Sequence, residues 1–201
     1  MKRMIGVTGG VGAGKSQVLE ILEKDYHAHV ILSDQVAREL MEPGMEGYRL
    51  VREYLGDEIL REDGCIDRPR MSQVIFGDQE KLLKVNQLTH PLVWKEILRR
   101  IDESPRSLQI VETALPEKQF RDICQEIWYV YTSEENRVRR LQESRGYDRE
   151  KCAQVMKSQA ADEEFRSMAT AVIDNNGSIQ ALKAQIARLL SNGQTTEEFT
   201  G

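Results

Sequence analysis

At 201 residues, 40% apolar and 30% charged, the chain is long enough to bury one sound core with an inserted subdomain, and hardly long enough for two independent domains. A net charge of −5 argues against a nucleic-acid binder or a polybasic membrane anchor, and no apolar run approaches membrane-spanning length. The first apolar run starts almost at Met1 and leaves no room for a leader, so the protein is expected to be cytoplasmic.

Residues 4–8 read as a short buried strand and residues 17–24 as an amphipathic helix. Between them, Gly9-Gly10-Val11-Gly12-Ala13-Gly14-Lys15-Ser16 fits the phosphate-binding pattern G-x-x-x-x-G-K-[ST], in the strand–loop–helix setting that the pattern requires. Glycines bring successive backbone N–H groups close to phosphate oxygens, and the following helix adds its positive end. Lys15 is suited to the outer phosphates of a nucleoside triphosphate and the Ser16 hydroxyl to Mg²⁺.

Further short apolar runs at 30–32, 108–111, 127–131 and 171–173 alternate with helical patterns, which predicts an α/β fold with a five-stranded parallel sheet covered on both faces. After the second run, Ser33 can cap a helix and Asp34 falls at the carboxyl end of a parallel strand, where open α/β sheets place their ligands. A carboxylate there can take the proton of an attacking hydroxyl; it can equally do no more than stabilise a helix N-terminus. Arg38, one turn on, can pair with Asp34 or grip an acceptor phosphate.

About 75 residues separate the second and third runs, with helical patterns at 34–40, 47–55, 71–76, 79–86 and 92–101. That excess predicts a helical subdomain with a binding role. Thr89-His90-Pro91 reads as the end of one helix and the start of another, with Pro91 in the first turn. Cys65, Cys124 and Cys152, and His27, His29 and His90, are dispersed without metal-type spacing, so neither a zinc site nor a disulfide framework is expected.

A second long connection of about 40 residues holds Arg137, Arg139, Arg140, Arg145 and Arg149. Two readings stand: a solvated helix face paired with Glu134, Glu135 and Glu143, or a lid that clamps phosphates. Asp174-Asn175-Asn176-Gly177 matches D-x-x-G, but the chain has no Asn-Lys-x-Asp motif for guanine, which argues against a GTP switch. Residues from Ser191 onward form a polar tail that is expected to fray.

These pieces together resemble the dephospho-coenzyme A kinase family. The resemblance rests on residues 7–16 and 34–38, then Ile66-Asp67-Arg68, Ile75-Phe76, Thr89-His90-Pro91-Leu92-Val93, Ser158-Gln159, and Val172 to Gly177. It implies a P-loop nucleotide kinase fold over 1–201, with a helical acceptor-binding insertion at 33–105 and a helical lid at 133–168. It also implies transfer of the ATP γ-phosphate to the ribose 3′-hydroxyl of dephospho-CoA. In that reading Asp34 is the catalytic base, working with Lys15, Arg140 and Arg145. ATP is held by residues 9–16 and by Asn175, beside whose turn the adenine lies unless the turn is only structural. Thr8, Asp34, Arg38 and His90 serve the substrates, and Ser16 holds Mg²⁺.

Two departures stand out. Leu32 replaces the family's frequent second aspartate, and Thr113-Ala114-Leu115-Pro116-Glu117 replaces its Pro-Leu-Leu-acid segment, leaving Glu112 and Glu117 both open as an outer Mg²⁺ partner. A monomer or weak homo-oligomer is expected, without nucleic-acid or membrane partners. The alternatives are a kinase for another small acceptor, such as a nucleoside or nucleoside monophosphate, and a non-enzymatic nucleotide switch.

Overall fold

The structure, a computed structural model, describes residues 2–114 and 118–192; Glu117 and the tail beyond Asn192 lie outside the described residues. The chain runs β1 (Arg3–Thr8), α1 (Lys15–Tyr26), β2 (His29–Leu32), α2 (Ser33–Glu39), α3 (Glu46–Leu55), a 3₁₀ turn (Asp57–Ile59), α4 (Arg68–Ile75) and α5 (Gln79–Glu103). It continues through β3 (Leu108–Glu112), α6 (Lys118–Ile123), β4 (Glu126–Tyr131), α7 (Glu134–Arg145), α8 (Arg149–Lys157), α9 (Asp162–Met168), β5 (Ala171–Asp174) and α10 (Ile179–Asn192). All five expected strands form, in the order β2-β3-β1-β4-β5. β1 is central, parallel to β3 (Ile5 opposite Ile110) and to β4 (Val7 opposite Trp128), and β4 is parallel to β5. Among the described residues no helix is long and apolar enough to cross a membrane.

By contacts the chain divides into two compact units, Met1–Val30 with Pro105–Gly201, and Ile31–Ser104. In the first, strand alternation sends Ile5 and Val7, with Trp128 and Val130, to one face, where they meet Val18, Ile21 and Leu22 of α1 and Leu182, Ile186 and Leu190 of α10. The four-residue spacing in α10 keeps its apolar positions on one side of the helix. Gly6 and Tyr129 face the other way. Phe120 lies directly on Gly6, where a Cβ would come within 2.3 Å of its ring, and Phe165 of α9 stacks on Tyr129 at 5.1 Å.

In the second unit, Val51, Leu55, Ile59, Ile66 and Val85 form a core of their own. The helix break expected at Thr89-His90-Pro91 does not occur: α5 is one 25-residue helix with Pro91 inside it. Proline removes a backbone donor and costs about 3 kcal/mol in a helix interior. The buried positions Val85, Thr89, Val93, Ile97 and Ile101 recur every four residues on both sides of it, and ending the helix would expose half of that stripe. Thr89 Oγ1 donates to the Val85 carbonyl at 2.9 Å in the turn before the proline. Ser33 also differs from expectation: it opens α2 as a buried residue, and Leu32 takes the cap position without a side-chain bond.

Glu39 of α2 pairs with Arg100 of α5, which also donates from Nε to Glu96 at 2.8 Å, while Arg99 reaches Glu96 at 2.7 Å. Hydrogen bonds from Arg99 and Arg100 pull the Glu96 carboxyl from 4.5 down to about 2, and Arg100 followed by Gln35 lowers Glu39. A carboxyl depressed on folding stabilises the protein fully above its unfolded value and loses that contribution as pH falls through its folded value. The thermal midpoint of the 31–104 unit is therefore expected to fall as pH drops from 4.5 to about 2, and Glu96→Gln to flatten that slope in a melting series. Gly6→Ala is expected to destabilise the protein by about 1–3 kcal/mol by overpacking against Phe120, with Phe120→Leu restoring part of the loss in urea titrations.

Candidate active site

The glycine loop leaves the end of β1 at Thr8 and enters α1 through Gly14, whose φ of 85° is the left-handed geometry that glycine adopts without strain. A Cβ on Gly14 would lie 2.3 Å from the Asn175 amide nitrogen and 2.9 Å from Arg140 Nη1. Within the loop, Ala13 N–H donates to the Gly10 carbonyl at 3.1 Å and Gln17 N–H to the Gly14 carbonyl at 3.0 Å. Among the described residues, the N–H groups of Gly12, Gly14, Lys15 and Ser16 have no acceptor. Four free donors at a helix N-terminus suit an anion with several oxygens.

Lys15 Nζ folds back to the Gly9 carbonyl at 2.7 Å and lies 3.4 Å from Glu112 Oε1; their side chains are only 15% and 12% exposed. Glu112, at the end of β3, thus has a place beside the loop lysine. Ser16 is exposed in the first turn of α1. Thr8 Oγ1 is fully buried and has no hydrogen-bond partner among the described residues, an arrangement that costs about 1–3 kcal/mol until a ligand or water satisfies it.

The ends of β4 and β5 hold the loop from the side. The Ala13 carbonyl accepts from Thr132 Oγ1 (2.9 Å), Asn175 Nδ2 (2.9 Å) and Arg140 Nη1 (3.1 Å). Arg140 Nη2 also donates to the Asn175 carbonyl at 2.8 Å, and Asn175 Nδ2 to Gln17 Oε1 at 3.2 Å. Asn175 is buried with its amide donors committed to the loop and α1, while Asn176 binds Ser133 N–H and the Asn136 amide, both at 2.9 Å. The Asp174–Gly177 turn therefore joins β5 to the start of α7.

Two of the five clustered arginines reach the loop, and only one of them is in the pair favoured by resemblance. Arg137 and Arg140 are three residues apart, about 60° around the helix, and contact Val11 and Ala13. Arg145, five residues beyond Arg140 and about 140° around, is exposed at the helix end with its guanidinium 5.9 Å from the Tyr147 ring. Burial lowers the Arg137 pKa, and burial followed by repulsion from Arg139 lowers that of Arg140. Neither has a carboxylate within ion-pair distance among the described residues. Arg137 is within reach of sequence reasoning through its spacing from Arg140; Gln159, which binds both Val11 and Arg137, is marked in the sequence only as part of the Ser158-Gln159 motif, with no role attached to it.

Asp34, Arg38 and His90 belong to the 31–104 unit. Asp34 is exposed in the first turn of α2, and Arg38 is exposed one turn on. Their side chains form no hydrogen bond or ion pair among the described residues, so the pairing open to them by spacing is not made. His90 is half-buried within α5 beside Pro91. Asp67 caps α4 by accepting from Arg70 N–H at 3.0 Å, and Arg68 donates to the Arg38 carbonyl at 3.3 Å. Met41, Arg61, Cys65 and Arg68 line a cavity of about 330 Å³ in the same unit.

The family model described as Dephospho-CoA kinase matches residues 3–181. A dephospho-CoA kinase of Carboxydothermus hydrogenoformans is 38% identical over 191 residues, covering 93% of this chain and 92% of the relative. A crystal structure of a Thermus thermophilus protein covers 100% of this chain and 99% of its own, with a TM-score of 0.82 and 26% identity. The dephospho-CoA kinase of Campylobacter jejuni shares the fold with a TM-score of 0.68 at 20% identity, over 96% of this chain and all of its own. With a matching phosphate loop, a five-stranded parallel sheet and this similarity over nearly its whole length, the chain belongs to the dephospho-CoA kinase family.

Proposed function

We propose that the chain transfers the γ-phosphate of ATP to the ribose 3′-hydroxyl of dephospho-CoA, giving coenzyme A and ADP as the last step of CoA biosynthesis, in the cytoplasm. The observation that carries this reading is the set of four unpaired N–H groups in the glycine loop, with Lys15 beside them, in a chain matched to the family over residues 3–181. The loop and Lys15 take the β- and γ-phosphates, and Arg140, half-buried and without an anionic partner among the described residues, neutralises charge that develops there. The buried, unpartnered Thr8 hydroxyl supplies one more polar contact at the foot of the loop.

Ser16, in the first turn of α1, is read as the residue that would hold Mg²⁺ through its hydroxyl, with Glu112, 3.4 Å from Lys15, as the outer acid. Among the described residues no cluster of three or more His, Cys, Asp or Glu could hold a metal alone, which suits an ion whose other ligands are phosphate oxygens and water. Bound there, Mg²⁺ neutralises phosphate charge.

The acceptor is read as belonging to the 31–104 unit, with Arg38 and His90 among its contacts. Asp34, exposed and without an ion-pair partner among the described residues, accepts the 3′-hydroxyl proton as that oxygen bonds to the γ-phosphorus and the bond to ADP breaks. The 133–168 segment serves as the lid, with Arg145 as its outer cation.

Incubation with ATP, Mg²⁺ and a panel of dephospho-CoA, nucleosides and nucleoside monophosphates, read by mass spectrometry, tests the assignment. Coenzyme A is the expected product, and folded protein that makes none removes the reading. Asp34→Asn is expected to slow turnover about 10²–10⁴-fold while ATP still binds; near-normal turnover excludes Asp34 as the base. Arg140→Ala is expected to weaken ATP binding at least about tenfold, more than Arg145→Ala, as measured by titration with nucleotide.

A further inference from the structure

The tip of the loop is gripped by two residues outside its motif. Arg137 donates from Nε to the Val11 carbonyl at 2.9 Å and from Nη2 to Gln159 Oε1 at 3.0 Å, and the same Oε1 accepts the Val11 N–H at 2.8 Å. These three bonds close a ring that uses both backbone polar groups of Val11. Gly10 belongs to the same arrangement although the motif makes no demand at its position: a Cβ there would lie 2.4 Å from Arg137 Nη2 and 2.8 Å from its Cζ. A long cation left to itself on a helix surface keeps its rotamer freedom and hydration. Arg137 instead is drawn in against backbone, with carbonyl and amide oxygens as its hydrogen-bond partners.

We propose that Arg137 and Gln159 are positioning residues for ATP: they clamp Val11 and hold the loop in its phosphate-receiving shape, and Gly10 lacks a side chain so that the guanidinium fits. The inference rests on the loop being the ATP site. Val11 stands between two glycines, the residues with most backbone freedom to lose, so an unclamped tip must be ordered each time ATP binds. The clamp spends the Val11 N–H and leaves those of Gly12, Gly14, Lys15 and Ser16 available. It therefore acts through loop shape, and its removal weakens nucleotide binding ahead of the chemical step.

Amide exchange of Val11 by NMR on the nucleotide-free protein, together with calorimetric titration by Mg-ATP, separates the two ideas. In the native chain the Val11 amide exchanges slowly and ATP binds. Gln159→Leu, which removes the acceptor, makes that amide exchange fast and weakens ATP about tenfold, with kcat at saturating ATP and the KM for dephospho-CoA nearly unchanged. Gln159→Glu keeps an acceptor oxygen and restores both slow exchange and affinity. Arg137→Ala and Gly10→Ala each weaken ATP similarly, and the double variant loses no more than either alone, because both break the same ring. Fast Val11 exchange in the native chain overturns the clamp. So does unchanged ATP affinity in Gln159→Leu, failure of Gln159→Glu to restore it, or a Gln159→Leu variant that loses kcat and thermal stability in step with ATP affinity. A native chain with slow Val11 exchange that binds no ATP instead overturns the reading of the loop, and with it the role of the clamp in nucleotide binding.

Discussion

A phosphate-binding loop must keep several backbone N–H groups unpaired inside a folded protein, a state that costs free energy until the anion arrives. Here that constraint is met by securing the loop through its carbonyls. The Gly9 carbonyl accepts from Lys15, the Gly10 and Gly14 carbonyls from backbone N–H groups, the Val11 carbonyl from Arg137, and the Ala13 carbonyl from three side chains. With these five acceptors occupied, the loop has little freedom to turn them toward its own donors. The shape of the cradle is thus held by Thr132, Asn175, Arg137 and Arg140, which surround it.

Sheet order explains why those residues are available. β1 is central with β4 beside it and β5 next, so the residues that follow β4 and β5, Thr132 and Asn175, emerge at the same edge as the loop that follows β1. Parallel strands place all their carboxyl ends on one side, which makes that edge the natural place for a ligand. α7 begins directly after β4, and a helix starting there can turn one face, Arg137 and Arg140, toward Val11 and Ala13. Gly6 beneath Phe120 and the apolar faces of α1 and α10 set β1 firmly in the sheet from which the loop springs.

Much of this is legible in the sequence alone. Each of the five strands is a short apolar run, most fully in β1, β3 and β4, where burial on both faces needs no alternation, and the loop motif announces itself by residues whose chemistry few others share. Helix limits were less legible. Pro91 argues locally for a break, but the apolar repeat from Val85 to Ile101 extends over many more residues and outweighs one lost hydrogen bond and the strain at a single ring. The arginine cluster shows the same limit. Resemblance alone points to Arg140 and Arg145, whereas helical rotation pairs Arg140 with Arg137.

By itself, then, the sequence determined what is local or periodic: the glycine loop and its lysine, the strands, the helical stretch between β2 and β3, and the motifs that carry the family. Tertiary structure alone decided which long-range partners complete the loop. Gln159 is 148 residues from Val11, and Asn175 is 162 from Ala13. Contacts over such separations depend on strand order and helix rotation, which no local pattern encodes. The bonds themselves are ordinary ones, between amides, guanidinium groups and carbonyls, available to many other residues of the chain. Only the folded sheet selects these few, because it alone brings their donors and acceptors within 3 Å or so of the loop's carbonyls and N–H groups.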